Sequence, residues 1–102
     1  MEKIFAYGTL LDADIQQQLF GRKLAAGLPA LLSDFRKYTH ERYPYIVPSE
    51  GWSVEGRILS VTAAELEIAD RWEEVPEVYQ RKRVRVDIKK NKFAHTWVYV
   101  KS

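Results

Sequence analysis

The chain contains no cysteine. That absence removes disulfides, thiolate nucleophiles and cysteine-bound metals at once, and it fits a reducing compartment. Long apolar runs are also missing. Nothing approaches the roughly 20 consecutive apolar residues that a membrane helix needs. The opening Met1-Glu2-Lys3-Ile4-Phe5 reads straight into a strand, so no secretory leader is expected. The expectation is a cytoplasmic protein with no membrane partner. Charge of one sign is scarce too, with 16 Lys plus Arg against 14 Asp plus Glu and a net charge of +2. A nucleic-acid-binding domain of this size would carry a larger basic excess within a recognisable module. The densest basic cluster, Arg81, Lys82, Arg83 and Arg85, reads as a solvated strand face, and no nucleic-acid partner is expected. Histidine is limited to His40 and His95, whose spacing to Asp or Glu matches no metal signature. Ser33, Ser53 and Ser60 lack the context of a nucleophile elbow. No metal and no cofactor are expected.

What is present is a core. Hydrophobic residues make up 46% of 102 residues, enough for one domain spanning 1–102. Three Trp, six Tyr and four Phe supply both core volume and material for a pocket wall. Residues 3–7 read as a buried strand. Asp12 is an N-cap for a helix over 12–20, with Ile15, Leu19 and Phe20 on one face and Gly21 ending it. A strand is expected around 30–37, a loop or irregular strand over 40–48, and a turn at Ser49-Glu50-Gly51. Residues 52–60 form a strand interrupted by Gly56, which signals a bulge or a close backbone approach. Thr62 with Glu65 makes a capping-box pattern for a helix running to about Arg71. Val84, Val86 and Ile88 alternate against Arg83, Arg85 and Asp87, predicting a half-exposed strand over 80–89. A turn at Asn91-Lys92 leads back through a strand at 94–100. The sum is five to six strands and two short helices, an α+β arrangement.

Two clusters carry chemistry. In the first, the strand Ile4-Phe5-Ala6-Tyr7 runs into Gly8, Thr9 and Leu10. Backbone amides around such a glycine can converge on a carboxylate or phosphate. There is no dinucleotide fingerprint and no Walker lysine, and taken alone the run reads more readily as an ordinary strand-to-helix turn. In the second, Asp70-Arg71-Trp72-Glu73-Glu74-Val75-Pro76 places acidic residues at a helix C-terminus, where the dipole disfavours them. A carboxylate desolvated by a Trp ring is a better proton acceptor near neutral pH. Taken alone this cluster reads as a solvated turn. Tyr79 and Arg81 alternate onto one face and could shape a pocket or hold an anion. Tyr43-Pro44-Tyr45 reads equally as an aromatic wall or as an edge loop.

In order along the chain, Phe5-Ala6-Tyr7-Gly8-Thr9-Leu10, Tyr43-Pro44 with Val47-Pro48, Val54-Glu55-Gly56, Ala69-Asp70-Arg71-Trp72-Glu73, Tyr79-Gln80-Arg81 and Trp97-Val98-Tyr99-Val100 resemble the gamma-glutamylcyclotransferase-like proteins. The resemblance extends to their small bacterial, plant-type and gamma-glutamylamine cyclotransferase members. It covers nearly the whole chain and implies a small mixed β-barrel with flanking short helices. It also implies a catalytic Glu73, with Tyr7, Gly8, Thr9, Leu10, Tyr79 and Arg81 binding substrate. The implied reaction is intramolecular aminolysis of a gamma-glutamyl amine or amide, releasing 5-oxoproline and a free amine without cofactor or metal. Glu74 stands where the family commonly has glycine, which places a second carboxylate beside the first. Like-charge repulsion from it is expected to raise the pKa of Glu73 if the two converge. The competing reading is a non-catalytic binding protein for a small carboxylate metabolite on the same fold. Neither the amine portion of the substrate nor the oligomeric state follows from the sequence.

Overall fold

A computed structural model describes residues 1–89 and 91–102. Its elements are β1 (Glu2–Ala6), a 3-10 turn (Thr9–Leu11), α1 (Ala13–Phe20), β2 (Leu28–Tyr38), β3 (Tyr45–Val61), α2 (Ala63–Trp72), β4 (Tyr79–Lys89) and β5 (Lys92–Lys101). This is a mixed α+β fold, with a five-stranded sheet flanked by helices. The hydrogen-bonded order is β1-β3-β2-β4-β5. Neighbours pair antiparallel, except that β5 meets β1 in parallel through Ile4 and Trp97.

β1 explains why its sequence is an unbroken apolar run rather than an alternating one. Phe5 packs on one side of the sheet with Ile46, Val54, Val86 and Val98. Ile4 and Ala6 face the other side, under Leu66 and Ala69 of α2 and the partly buried Leu19 and Phe20 of α1. A strand covered on both faces has no solvent side to make polar. Gly56 on β3 shows the expected close approach. A Cβ there would lie 2.5 Å from the Ala6 carbonyl oxygen and 2.7 Å from the Phe5 ring. Any side chain would push β3 off β1, and with it the loop that follows β1.

The helix boundaries follow their caps. Asp12 Oδ1 accepts from the Asp14 and Ile15 amides, and Gly21 closes α1 in the left-handed region at φ +69. Thr62 and Glu65 form the reciprocal capping box of α2. Asn91 takes φ +65 in the last hairpin, but Lys92 already pairs with Lys89 instead of extending the turn.

One expectation fails. Ser49-Glu50-Gly51 is not a turn between strands, because β3 runs through it. The β2–β3 register passes from Ser33↔Ser53 to Phe35↔Pro48, so residues 49–52 bulge opposite Asp34 alone. Asp34 and Gly51 both take positive φ, and the Asp34 carboxylate accepts the Gly51 amide at 3.1 Å. The turn-forming composition is real, but it is spent on a bulge that keeps the pairing going on both sides. The strand also resumes at Tyr45, earlier than the prolines suggest.

Candidate active site

The chain leaves β1 at Ala6 and enters the site with Tyr7. The Tyr7 side chain is buried, and its hydroxyl donates to the Tyr99 carbonyl on β5. Gly8 then opens the 3-10 turn. The Leu11 amide bonds the Gly8 carbonyl and the Asp12 amide bonds the Thr9 carbonyl, each at 3.0 Å. The amides of Thr9 and Leu10 precede those bonds and have no acceptor inside the turn. No side chain caps it. A Cβ on Gly8 would make ordinary contact with Pro44 at 3.5 Å.

The turn is held from behind by Gln16, a residue that carried no signal in the functional reading. It is 4% exposed on α1. Its amide nitrogen donates to the Leu10 carbonyl at 2.8 Å, and its amide oxygen accepts from the Leu24 N–H at 2.9 Å. A detectable sign exists: Gln16 falls three and four residues before Leu19 and Phe20. It therefore sits on the apolar face, where a polar group needs partners.

The facing wall is the C-terminus of α2. Glu73 is its C-cap, and the next residue, Glu74, takes φ +55. The Glu74 amide bonds the Arg71 carbonyl at 3.1 Å and the Val75 amide bonds the Asp70 carbonyl at 3.0 Å. This is the Schellman arrangement, with Glu74 in the left-handed position that favours glycine. This backbone position favours glycine, the residue that the resemblance leads one to expect here. The Val75–Pro76 peptide is cis. One turn back from Glu73, Asp70 accepts the Tyr99 hydroxyl at 2.8 Å and pairs with Arg81 at 3.4 Å.

Between these walls lies a cavity of about 360 Å³. Residues 5–10 line one side; Trp72, Glu73, Glu74, Val78 and Tyr79 line the other. Residues 41–44, Tyr99 and Lys101 complete it. Tyr7, Gly8, Thr9, Leu10, Glu73 and Tyr79, far apart in sequence, are therefore brought together. Arg81 is not among the lining residues. Its guanidinium is occupied by Asp70 and by the Trp97 ring, 4.3 Å from its centroid. Two other arginines of the basic cluster behave alike: Arg83 lies over Trp97 and Arg85 over Phe93. Neither histidine lines the cavity: His95 contacts the Phe93 ring, and His40 contacts Tyr38 and Tyr45 and lies 3.8 Å from Glu41, a lining residue.

Glu73 is half-buried, while Glu74 is exposed on the rim. Burial pushes the Glu73 carboxyl up to about 7 from a usual 4.5. The repulsion expected from Glu74 is not among the causes; Glu74 is exposed at the cavity rim. Tyr7 and Tyr79 are raised first by burial and then by the negative charge of Glu73, while Tyr99 is raised by burial, then by its hydrogen bond to Asp70 and the Asp70 charge, with Glu73 a smaller cause. A carboxyl that titrates near neutrality in a cavity can both take and give a proton there. Among the described residues, no group of His, Asp and Glu side chains is arranged to hold a metal ion, and no helix is long and apolar enough to cross a membrane.

A strand thus runs into an amide-rich turn, faced across the cavity by a desolvated glutamate from a helix end. The chain belongs to the gamma-glutamyl cyclotransferase, AIG2-like family, whose model matches residues 4–102. It is similar to a solution structure from Arabidopsis thaliana, at 29% identity and a TM-score of 0.83, over 98% of this chain and 68% of that one. A second Arabidopsis thaliana solution structure gives 28% and 0.82, over 98% and 61%. A crystal structure of an AIG2-like protein from Mus musculus shares the fold, with 23% identity and a TM-score of 0.83, over 100% and 78%. The chain thus spans about two thirds of the length of the Arabidopsis proteins. No curated protein matches it.

Proposed function

We propose that residues 1–102 form a single domain, its sheet closed into a small barrel, that cyclises a gamma-glutamyl amine or amide to 5-oxoproline and a free amine. The observation that carries this reading is the Glu73 carboxyl, buried to a pKa of about 7 in the cavity that the Tyr7-Gly8-Thr9-Leu10 loop also lines. The substrate's α-amine starts as an ammonium, so a base must remove a proton before it can attack. Glu73 takes that proton. The freed amine attacks the γ-carbonyl carbon and closes a five-membered ring, a step that depends on holding the two atoms close. The carbonyl oxygen gains negative charge, and amides of the 3-10 turn are suited to receive it or the substrate's α-carboxylate. Glu73 then returns its proton to the departing nitrogen as the C–N bond breaks, and the second proton of the attacking nitrogen passes to the freed amine, leaving a lactam N–H and an ammonium product. One carboxyl serves as base and then as acid, which requires a pKa near the working pH.

In this reading Tyr7 and Tyr79 form the walls of the gamma-glutamyl pocket, while Arg81 acts at a distance from substrate. The test is Glu73→Gln, followed by release of 5-oxoproline from gamma-glutamyl amines. A folded variant with full activity would remove Glu73 from the mechanism. If the native chain binds 5-oxoproline or glutamate but turns over no gamma-glutamyl amine, the fold serves as a binding protein instead.

A further inference from the structure

Three tyrosine hydroxyls surround Glu73, and none gives it a proton. Tyr7, from the loop after β1, donates to the Tyr99 carbonyl. Tyr79, from β4, donates to the Pro44 carbonyl at 3.2 Å. Tyr99, from β5, donates to the Asp70 carboxylate at 2.8 Å. Each lines the same cavity as Glu73, and each feels its charge. Two of these protons go to backbone carbonyls that the fold fixes. The third goes to a side chain, so it alone depends on one replaceable residue.

Asp70 and Glu73 are three apart on the last turn of α2, so their side chains are neighbours. Tyr99, whose hydroxyl bonds Asp70, lines the same cavity as Glu73 and feels its charge. Arg81 pairs with Asp70 at 3.4 Å from the opposite side and favours its charged, accepting form. The remaining charged groups of the cavity are Glu74, exposed beside Glu73, Arg42, and Glu41 paired with Lys101 at 3.6 Å. Among the described residues no donor reaches the Glu73 carboxyl, and burial is the sole cause of its raised titration.

We propose that Asp70, held by Arg81, is a positioning residue that keeps the Tyr99 hydroxyl turned away from Glu73. A hydrogen bond from that hydroxyl would stabilise the carboxylate and make it a weaker base. Asp70 thus acts as a competing acceptor, and Arg81 contributes to the site without touching substrate. The proposal rests on Glu73 being the catalytic acid–base, but its test does not require turnover.

The experiment is a carboxyl-carbon NMR titration of Glu73 in the full chain. In Asp70→Ala the Tyr99 proton is released, and Glu73 is expected to titrate about one unit lower. In Asp70→Ala/Tyr99→Phe the donor is gone and the wild-type titration returns. In Asp70→Asn an acceptor oxygen remains without the charge, and Glu73 stays near its wild-type value. If Asp70→Ala does not fold, Asp70→Leu, closer in volume and equally unable to accept, replaces it in both the single and the double variant. An unchanged titration in the single variant overturns the proposal. So does a shift that persists with Tyr99→Phe or that Asp70→Asn reproduces, since either would mean that lost charge moves Glu73. The acid limb of kcat/KM for 5-oxoproline release should follow the NMR shift. A Glu73 that titrates as expected in a chain without turnover would leave this proposal standing and remove the catalytic one.

Discussion

Helix α2 carries a buried carboxylate at each end, and the two meet opposite fates. At the N-terminus Glu65 is 8% exposed, yet its pKa is pushed down to about 2. The Arg22 guanidinium grips it through two bonds of 2.8 Å, and in the capping box the Thr62 amide donates to the same carboxylate. At the C-terminus burial pushes the pKa of Glu73 up to about 7. It has no such partner among the described residues, and the hydroxyls of Tyr7, Tyr79 and Tyr99 are committed elsewhere. At Glu65 the donors outweigh burial, whereas at Glu73 burial acts with no donor to oppose it. The first glutamate holds the helix in place. The second is left short of hydrogen bonds at the end the first one anchors, a cost typical of functional sites.

The sharpest way to break this contrast is to remove the function from one end. Glu73→Gln is expected to lower 5-oxoproline release by about 10²–10⁴-fold, the usual worth of a positioned acid–base group. Thr62→Ala at the other end should leave the chemistry intact. Comparing kcat for the two variants separates a reacting carboxyl from an anchoring one.

The next test is the pH dependence of stability. The folded pKa of Glu73 lies above its unfolded value, so its carboxyl costs nothing below pH 4.5 and destabilises the fold increasingly as pH rises through about 7. Glu73→Gln removes that loss. Urea unfolding should show the variant more stable than wild type at pH 8, by on the order of 2–3 kcal/mol. The difference should shrink as pH falls toward 4.5. Glu65 runs the other way. Its depressed pKa gives stability that is present above 4.5 and lost as pH falls through about 2. Arg22→Ala should therefore lower the unfolding midpoint at neutral pH, with the gap to wild type closing in acid. Thr62→Ala, which deletes one cap bond, is expected to cost about 1 kcal/mol across the neutral range.

The two ends of α2 were not equally legible in the sequence. Thr62 and Glu65 are three apart before an apolar run, a local pattern with a local cause, and the structure reproduces it. Arg22 was invisible as their partner because it arrives from a segment 43 residues away. Glu73 and the Tyr7-Gly8-Thr9-Leu10 loop each read alone as ordinary turns. Only the likeness to a family joined them, since periodicity within a window cannot report a cavity between distant segments. Arg81 shows the limit of reading by alternation. The pattern correctly placed it on a strand face, but not that Asp70 and Trp97 would occupy its charge. The bulge at 49–52 shows the same limit in the backbone. Turn residues mark a departure from extended pairing without revealing whether the strand ends or resumes.

The smallest expected effect is the most pointed, because it concerns the residue that departs from the family pattern. Glu74 occupies a left-handed position at φ +55, where a side chain with a Cβ is strained. Its carboxylate is exposed and contributes nothing to the raised pKa of Glu73. Glu74→Gly should therefore relieve strain and stabilise the chain by about 0.5–1 kcal/mol, read as a higher urea midpoint. The acid limb of the pH–rate profile should stay in place, because the desolvation that sets it comes from the cavity. If the limb instead moves to lower pH, the two carboxylates interact, and the contrast between the ends of α2 rests on repulsion as well as on missing donors.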